Sequence, residues 1–158
     1  MCDQLVDWTR GRPSTFLDGP EVEHLSFADP FCEELRQIAL LSLTEVGAKT
    51  HDGGAVVVIE GPRFSTRAES SFFSRQGWAV INMTQQPEVP LSREIGMCYV
   101  NIAVVTDYDV GVVGEIAPVT HQEVLAKFTA SLGTLRSAVL KMIPRVAAES
   151  RCQQEIRE

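Results

Sequence analysis

The sequence predicts an α/β layered domain with a largely covered sheet, and three observations carry that prediction. Ala55–Ile59 is a β-branched run, apolar at every position and bounded by Gly54 and Gly61, which marks a strand buried on both faces. Residues 78–83 and 99–105 repeat the apolar character. Between and after these runs stand helix signals, notably the capping-box pairs Thr66/Glu69 and Thr120/Glu123. Strands that alternate with helices, and that are apolar throughout, belong to sheets covered by helices.

In chain order, residues 1–27 carry turn chemistry, Arg10-Gly11-Arg12-Pro13 and Asp18-Gly19-Pro20, and read as a loop-rich approach. Asp29-Pro30 reads as a helix start, with Asp as N-cap and Pro at the first helical position. Phe31, Leu35, Ile38, Leu41 and Leu43 follow at helical spacing, and Gly47 stands where a helix-ending glycine belongs. After the first strand, a turn leads to a helix opened by Thr66 and closed near Gly77. Residues 78–83 form the second strand, 89–96 a short helix opening after Pro87, and 99–105 the third strand. A loop bearing Gly111, Gly114 and Pro118 precedes a long helix through Val124, Leu125, Phe128, Leu132, Leu135, Val139 and Leu140 to about Pro144. The charged tail, 149–158, is expected to fray. No internal repeat or low-complexity segment interrupts this order.

Composition bounds the function. A chain of 158 residues suits a single domain with its own core, and 44% apolar with 22% charged residues is ordinary for a globular protein. A net charge of -7 argues against sequence-independent binding of nucleic acid, which rests on Lys and Arg neutralising phosphates. Cys2, Cys32, Cys98 and Cys152 are scattered without metal-ligand or redox spacing, so no metal site is expected. Cys32 and Cys98 lie in apolar runs and read as buried reduced thiols. No segment resembles a signal peptide, and no apolar run approaches the roughly 18 residues of a membrane span. A cytoplasmic protein without membrane contact is the expectation.

Each apolar run delivers a polar cluster at its downstream end: Glu60 to Thr66, Met83 and Thr84, and Thr106 to Asp109. In sheets of this class ligands bind beyond the carboxyl ends of the strands, so the three clusters suggest one pocket. Asp107 and Asp109 admit three readings: acceptors in a turn, weak ligands for a divalent cation, or acid/base groups donating a proton to a leaving group. Spacing does not choose among them. Gly61-Pro62-Arg63-Phe64-Ser65-Thr66 lacks the glycine spacing and Lys of a phosphate-binding P-loop. Phe64 is either core or a ring on which a flat ligand stacks. Met83 is core filler by default, Thr84 caps the next turn or binds an anion, and His24 has no nearby partner in sequence that makes a catalytic triad.

Taken together, D-Q-L-V-D-W-T-R-G-R-P, S-F-A-D-P-F-C, I-E-G-P-R-F-S-T-R-A-E-S, V-I-N-M-T-Q-Q-P-E and T-D-Y-D closely resemble the methylthioadenosine phosphorylase branch of the purine nucleoside phosphorylase family. The resemblance runs from about Asp3 into the long last helix. It implies a mixed β-sheet flanked by helices in a three-layer αβα arrangement, assembled as a homotrimer with sites near subunit interfaces. It also implies phosphorolysis of 5'-methylthioadenosine to adenine and 5-methylthioribose 1-phosphate, with inorganic phosphate as co-substrate and no cofactor. Phosphorylases that act on adenosine or on 6-oxo nucleosides are the neighbouring reading, and a non-catalytic nucleoside-binding or oligomerisation remnant is another. On the resemblance, Asp107 faces purine N7 and the 6-amino group, Asp109 holds the 6-amino group, and Phe64 stacks on the base. Met83 contacts the ribose, Thr84 helps bind phosphate, and His24 reaches a neighbouring subunit's site near the 5' substituent. The family's N-terminal half, with its glycine-containing phosphate loop, has no counterpart here. A partial domain with an unpaired sheet edge and open apolar surface is therefore expected, either a fragment or a chain completed by a partner.

Overall fold

The computed structural model describes residues 1–109 and 120–146. Its elements are β1 (Gln4–Trp8), α1 (Glu33–Glu45), β2 (Ala55–Ile59), α2 (Arg67–Arg75), β3 (Val80–Asn82), α3 (Gln85–Glu94) and α4 (His121–Met142), followed by a 3-10 turn at Ile143–Arg145. The expected glycine loop after Asp109 and the expected frayed tail lie outside the described residues.

β2 is the axis of the sheet. The strand order is β1-β2-β3, with Gln4 opposite Ala55 through Trp8 opposite Ile59, and Val56 opposite Val80 through Val58 opposite Asn82. Val56, Val57 and Val58 are wholly buried, as the unbroken apolar run requires. Because side chains alternate across a strand, Val56 joins Cys2, Phe31 and Val89 on one face, while Val57 and Ile59 join Phe73 on the other. Val89 belongs to α3 and Phe73 to α2, so helices cover both faces and the layers are α, β, α.

The structure corrects several local expectations. The approach segment is not all loop: residues 4–8 form β1, half exposed and held by its parallel ladder to β2. Both ladders among the described residues are parallel, within the expected class of a sheet flanked by helices. The third expected strand, 99–105, joins no ladder among the described residues; the Tyr99 carbonyl instead accepts from the Cys32 N–H at 2.8 Å.

That bond also explains where α1 begins. Its N-cap is Cys32, not Asp29, because Pro30 and Phe31 are buried and Phe31 packs on the Tyr99 ring at 6.3 Å between centroids. Tertiary packing keeps the chain extended past the local start signal. β3 occupies only the middle of the expected 78–83 run. The helix expected from residue 89 starts earlier, at Gln85, with a break at Gln86 (φ -101°, ψ 122°), since a residue before proline is pushed out of the helical region.

The two capping boxes form as expected. Thr66 Oγ1 accepts from the Glu69 N–H at 3.2 Å, and Thr120 Oγ1 from the Glu123 N–H at 3.3 Å. Gly47 and Gly77 follow α1 and α2 with φ of 71° and 76°, the left-handed conformation that ends helices on glycine. α4 meets α1 through its last turns, where Ala138 and Met142 are buried. Arg145 Nη1 donates to Ser42 Oγ there, and Glu45 accepts from Arg145 and Lys141 at 2.7 and 3.1 Å. Earlier in α4, Leu125, Phe128 and Leu132 lie open among the described residues.

Candidate active site

Three segments leave the carboxyl ends of the strands, and one side chain from the approach segment ties two of them together. After β1 the chain turns at Gly11, whose φ of 69° suits glycine, and sends Arg12 back under the ends of β2 and β3. Arg12 Nη1 donates to the Met83 carbonyl at 2.8 Å and to the Gln86 carbonyl, and Nη2 donates to the Glu60 and Ile59 carbonyls at 2.6 and 3.4 Å. Its Nε donates to Glu60 Oε1 at 3.3 Å. The other oxygen of Glu60 accepts from the Arg10 N–H at 2.7 Å. That backbone bond, then the Arg12 guanidinium, holds the Glu60 carboxyl below its ordinary range.

The G-P-R-F-S-T loop is stiffened from its far side. Arg63 grips Glu69 with both terminal nitrogens at 2.8 and 2.7 Å, and Glu69 Oε2 also accepts from the Thr66 N–H at 2.7 Å. The Arg63 bonds first, then the Thr66 N–H, pull the Glu69 carboxyl down to about 2. Gly61 (φ 68°) approaches Met83 so closely that an added Cβ would lie 2.7 Å from Met83 Sδ. The Phe64 loop and the Met83 turn therefore touch directly. Phe64 itself is 44% exposed, available for stacking rather than committed to the core. Thr84 is exposed and makes no side-chain cap bond to α3.

A cavity of about 340 Å³ opens beside this loop, lined by Trp8, Arg10, Glu60, Gly61, Arg63 and Ser65 among others. Phe64, Met83, Thr84, Asp107, Asp109 and His24 are not in its lining; His24 lies exposed in the approach segment.

Asp107 and Asp109 form a local turn. Asp107 Oδ1 accepts from the Asp109 N–H at 3.0 Å and Oδ2 from the Thr106 hydroxyl at 2.7 Å. Asp109 adopts φ 55°, which Asp tolerates, and its buried Oδ2 has no hydrogen-bond partner among the described residues. The turn-acceptor reading of Asp107 is thus realised, and one oxygen of Asp109 is left unengaged. Among the described residues no group of His, Cys, Asp and Glu is arranged to hold a metal ion.

Sequence reasoning missed Arg12: its R-G-R-P run reads as turn chemistry and as part of the family resemblance, and neither points to acceptors so distant in sequence. Ser65 lies in the expected Glu60 to Thr66 cluster and is buried beside exposed Phe64.

The chain belongs to the phosphorylase superfamily: the family model matches residues 1–144. Within the family, it is 49% identical over 152 residues to the S-methyl-5'-thioadenosine phosphorylase of Pyrococcus abyssi, covering 96% of this chain and 58% of that protein. It is 44% identical over 155 residues to the purine nucleoside phosphorylase of Streptomyces coelicolor, covering 92% and 55%. The methylthioadenosine phosphorylase from Schistosoma mansoni in complex with adenine superposes with a TM-score of 0.88 at 34% identity, over 99% of this chain and 62% of that one. The chain spans somewhat more than half the length of these relatives.

Proposed function

We propose that the chain carries the base and sugar side of a nucleoside phosphorylase site, and that the reaction is phosphorolysis of 5'-methylthioadenosine to adenine and 5-methylthioribose 1-phosphate. The observation that carries the proposal is the joined loop pair. The Phe64 loop and the Met83-Thr84 turn leave adjacent strand ends in contact, in a chain 49% identical to a methylthioadenosine phosphorylase. On this reading Phe64 stacks on the purine, Met83 meets the ribose, Thr84 offers its free-standing hydroxyl to phosphate, and His24 serves the 5' end of a substrate bound by a neighbouring copy.

Breaking the glycosidic bond builds positive charge on the ribose and negative charge on the departing purine, so a proton donor at N7 lowers the barrier. Asp107 takes that role. Asp109, with an unengaged carboxylate oxygen, accepts from the 6-amino group; a 6-oxo purine presents lone pairs there instead, which favours adenine-type bases. Inorganic phosphate is the co-substrate, with no cofactor. We further assign residues 1–158 to one domain that assembles as a homotrimer in the cytoplasm. No described helix is long and apolar enough to cross a membrane, and the net charge of -7 leaves nucleic acid out of its partners.

The relative from Streptomyces favours a second reading, a purine nucleoside phosphorylase acting on adenosine or 6-oxo nucleosides. Adenine release from methylthioadenosine, followed with and without phosphate, tests the first reading; phosphate-dependent release is expected. Purine binding without release would leave a non-catalytic module. A higher kcat/KM on inosine than on methylthioadenosine would overturn the assignment of the two Asp residues.

A further inference from the structure

We propose that Arg12 is a positioning residue of the site, holding the Met83-Thr84 turn and the start of the Phe64 loop in register without touching substrate; this rests on the reaction proposed above. A guanidinium has five N–H donors in a fixed fork. All five are committed: Nε to Glu60 Oε1, Nη1 to the carbonyls of Met83 and Gln86, and Nη2 to those of Ile59 and Glu60. The side chain is 18% exposed. No donor remains for a phosphate or a nucleoside, so whatever Arg12 does for the reaction it does through the backbone it holds.

The acceptors show what that is. Ile59 ends β2 and Glu60 is the next residue, from which the loop runs to Phe64. Met83 follows β3, and Gln86 sits at the break in α3, where its carbonyl is outside the regular helix. The two Nη1 bonds therefore bracket Thr84 and Gln85, while the two Nη2 bonds fix the root of the other loop. Carbonyls outside regular ladders and helices need donors; one planar fork serves four carbonyls, Ile59 and Glu60 at the end of β2, Met83 after β3 and Gln86 at the break in α3. A lysine cannot repeat this, because its compact ammonium has three donors and no fork.

The test is Arg12→Lys in the full chain, with far-UV circular dichroism to verify folding. Amide exchange across residues 60–64 and 83–87 should quicken about tenfold or more while α1 stays protected, since local opening reports on local contacts. The KM for phosphate should rise about tenfold with kcat changed by less than about threefold, the pattern of weakened binding rather than lost chemistry. Unchanged exchange in both segments overturns the proposal, and so does altered exchange with an unaltered phosphate KM, which would leave Arg12 merely structural. An unsubstituted chain with neither phosphorolysis nor nucleoside binding refutes the reaction itself, and the exchange result still reports separately on the grip. Should Arg12→Lys not fold, the side-chain 15N resonances of Arg12 in the unsubstituted chain decide. They should not move as phosphate is added to saturation, and a shift confined to Arg12 makes it a ligand contact and ends the proposal.

Discussion

Replacing Gly61 by alanine tests the contact between the two loops. Gly61 has φ 68° and an added Cβ would meet Met83 Sδ at 2.7 Å; Gly47 has φ 71° with nothing within 4 Å. Both glycines take a positive φ, so Gly47→Ala measures that cost alone, while Gly61→Ala adds the Met83 contact and a Cβ before Pro62. A left-handed alanine costs about 1–2 kcal/mol, partly offset by roughly 0.4–1 kcal/mol from the stiffer unfolded chain. Gly47→Ala should therefore lose about 1 kcal/mol. Gly61→Ala adds the displacement of Met83, a flexible side chain whose departure from its rotamer costs about 0.5–1.5 kcal/mol. Urea unfolding followed by tryptophan fluorescence measures both, and equal m-values are needed for the comparison. The expected difference between the variants is about 1 kcal/mol, with a raised KM for methylthioadenosine in Gly61→Ala only. If Gly61→Ala is as stable as Gly47→Ala and its KM is unchanged, the loops are not packed as described.

Val57→Ala empties a wholly buried site on the central strand and should cost about 2 kcal/mol in the same urea titration, a fully packed neighbourhood being unable to close the gap. Glu69→Gln should flatten the acid limb of the stability profile. The folded carboxyl titrates at about 2 against an ordinary 4.5, so its contribution is fully present above about pH 4.5 and is lost as pH falls towards 2. Because Arg63 and Glu69 are both more than a third exposed, that contribution should stay below about 1 kcal/mol. Asp109→Asn converts one acceptor into a donor and should shift the ratio of kcat/KM values towards inosine; an unchanged ratio removes Asp109 from base selection.

Much of the layered core was legible because it depends on local pattern. The Ala55–Ile59 run is apolar at every position, rich in β-branched residues and flanked by Gly54 and Gly61, the pattern of a strand covered on both faces. The capping boxes at Thr66 and Thr120 were legible because their bonds close within four residues. What failed depended on distant partners. β1 has an ordinary mixed sequence, with Asp7 next to its last residue, and becomes a strand because β2 lies beside it. The Asp29-Pro30 start signal is sound in isolation, yet burial of Phe31 against Tyr99 and the Cys32–Tyr99 bond move the start of α1 by several residues. Arg12 was illegible as a functional residue for the same reason: its acceptors lie 47 to 74 residues away in sequence.

Asp107 is where sequence and structure must be combined, since its turn role and its proposed chemical role use the same oxygens. Both oxygens already accept, from the Asp109 N–H and the Thr106 hydroxyl. Each carboxyl oxygen has two lone pairs, so a proton on Oδ2 can point at purine N7 while the remaining pair still accepts from Thr106. The two roles are compatible, and Asp107→Asn separates them. The amide oxygen of asparagine can go on accepting from the Asp109 N–H, and its NH2 then faces Thr106, whose hydroxyl can turn to become the acceptor. The turn survives while the ability to deliver a proton is gone. Turnover of methylthioadenosine should fall about 100-fold or more, the usual scale of general acid catalysis, with the unfolding midpoint nearly unmoved. Turnover close to that of the unsubstituted chain would confine Asp107 to the turn and shift the search for the proton donor to Asp109, whose Oδ2 is the buried oxygen still without a partner.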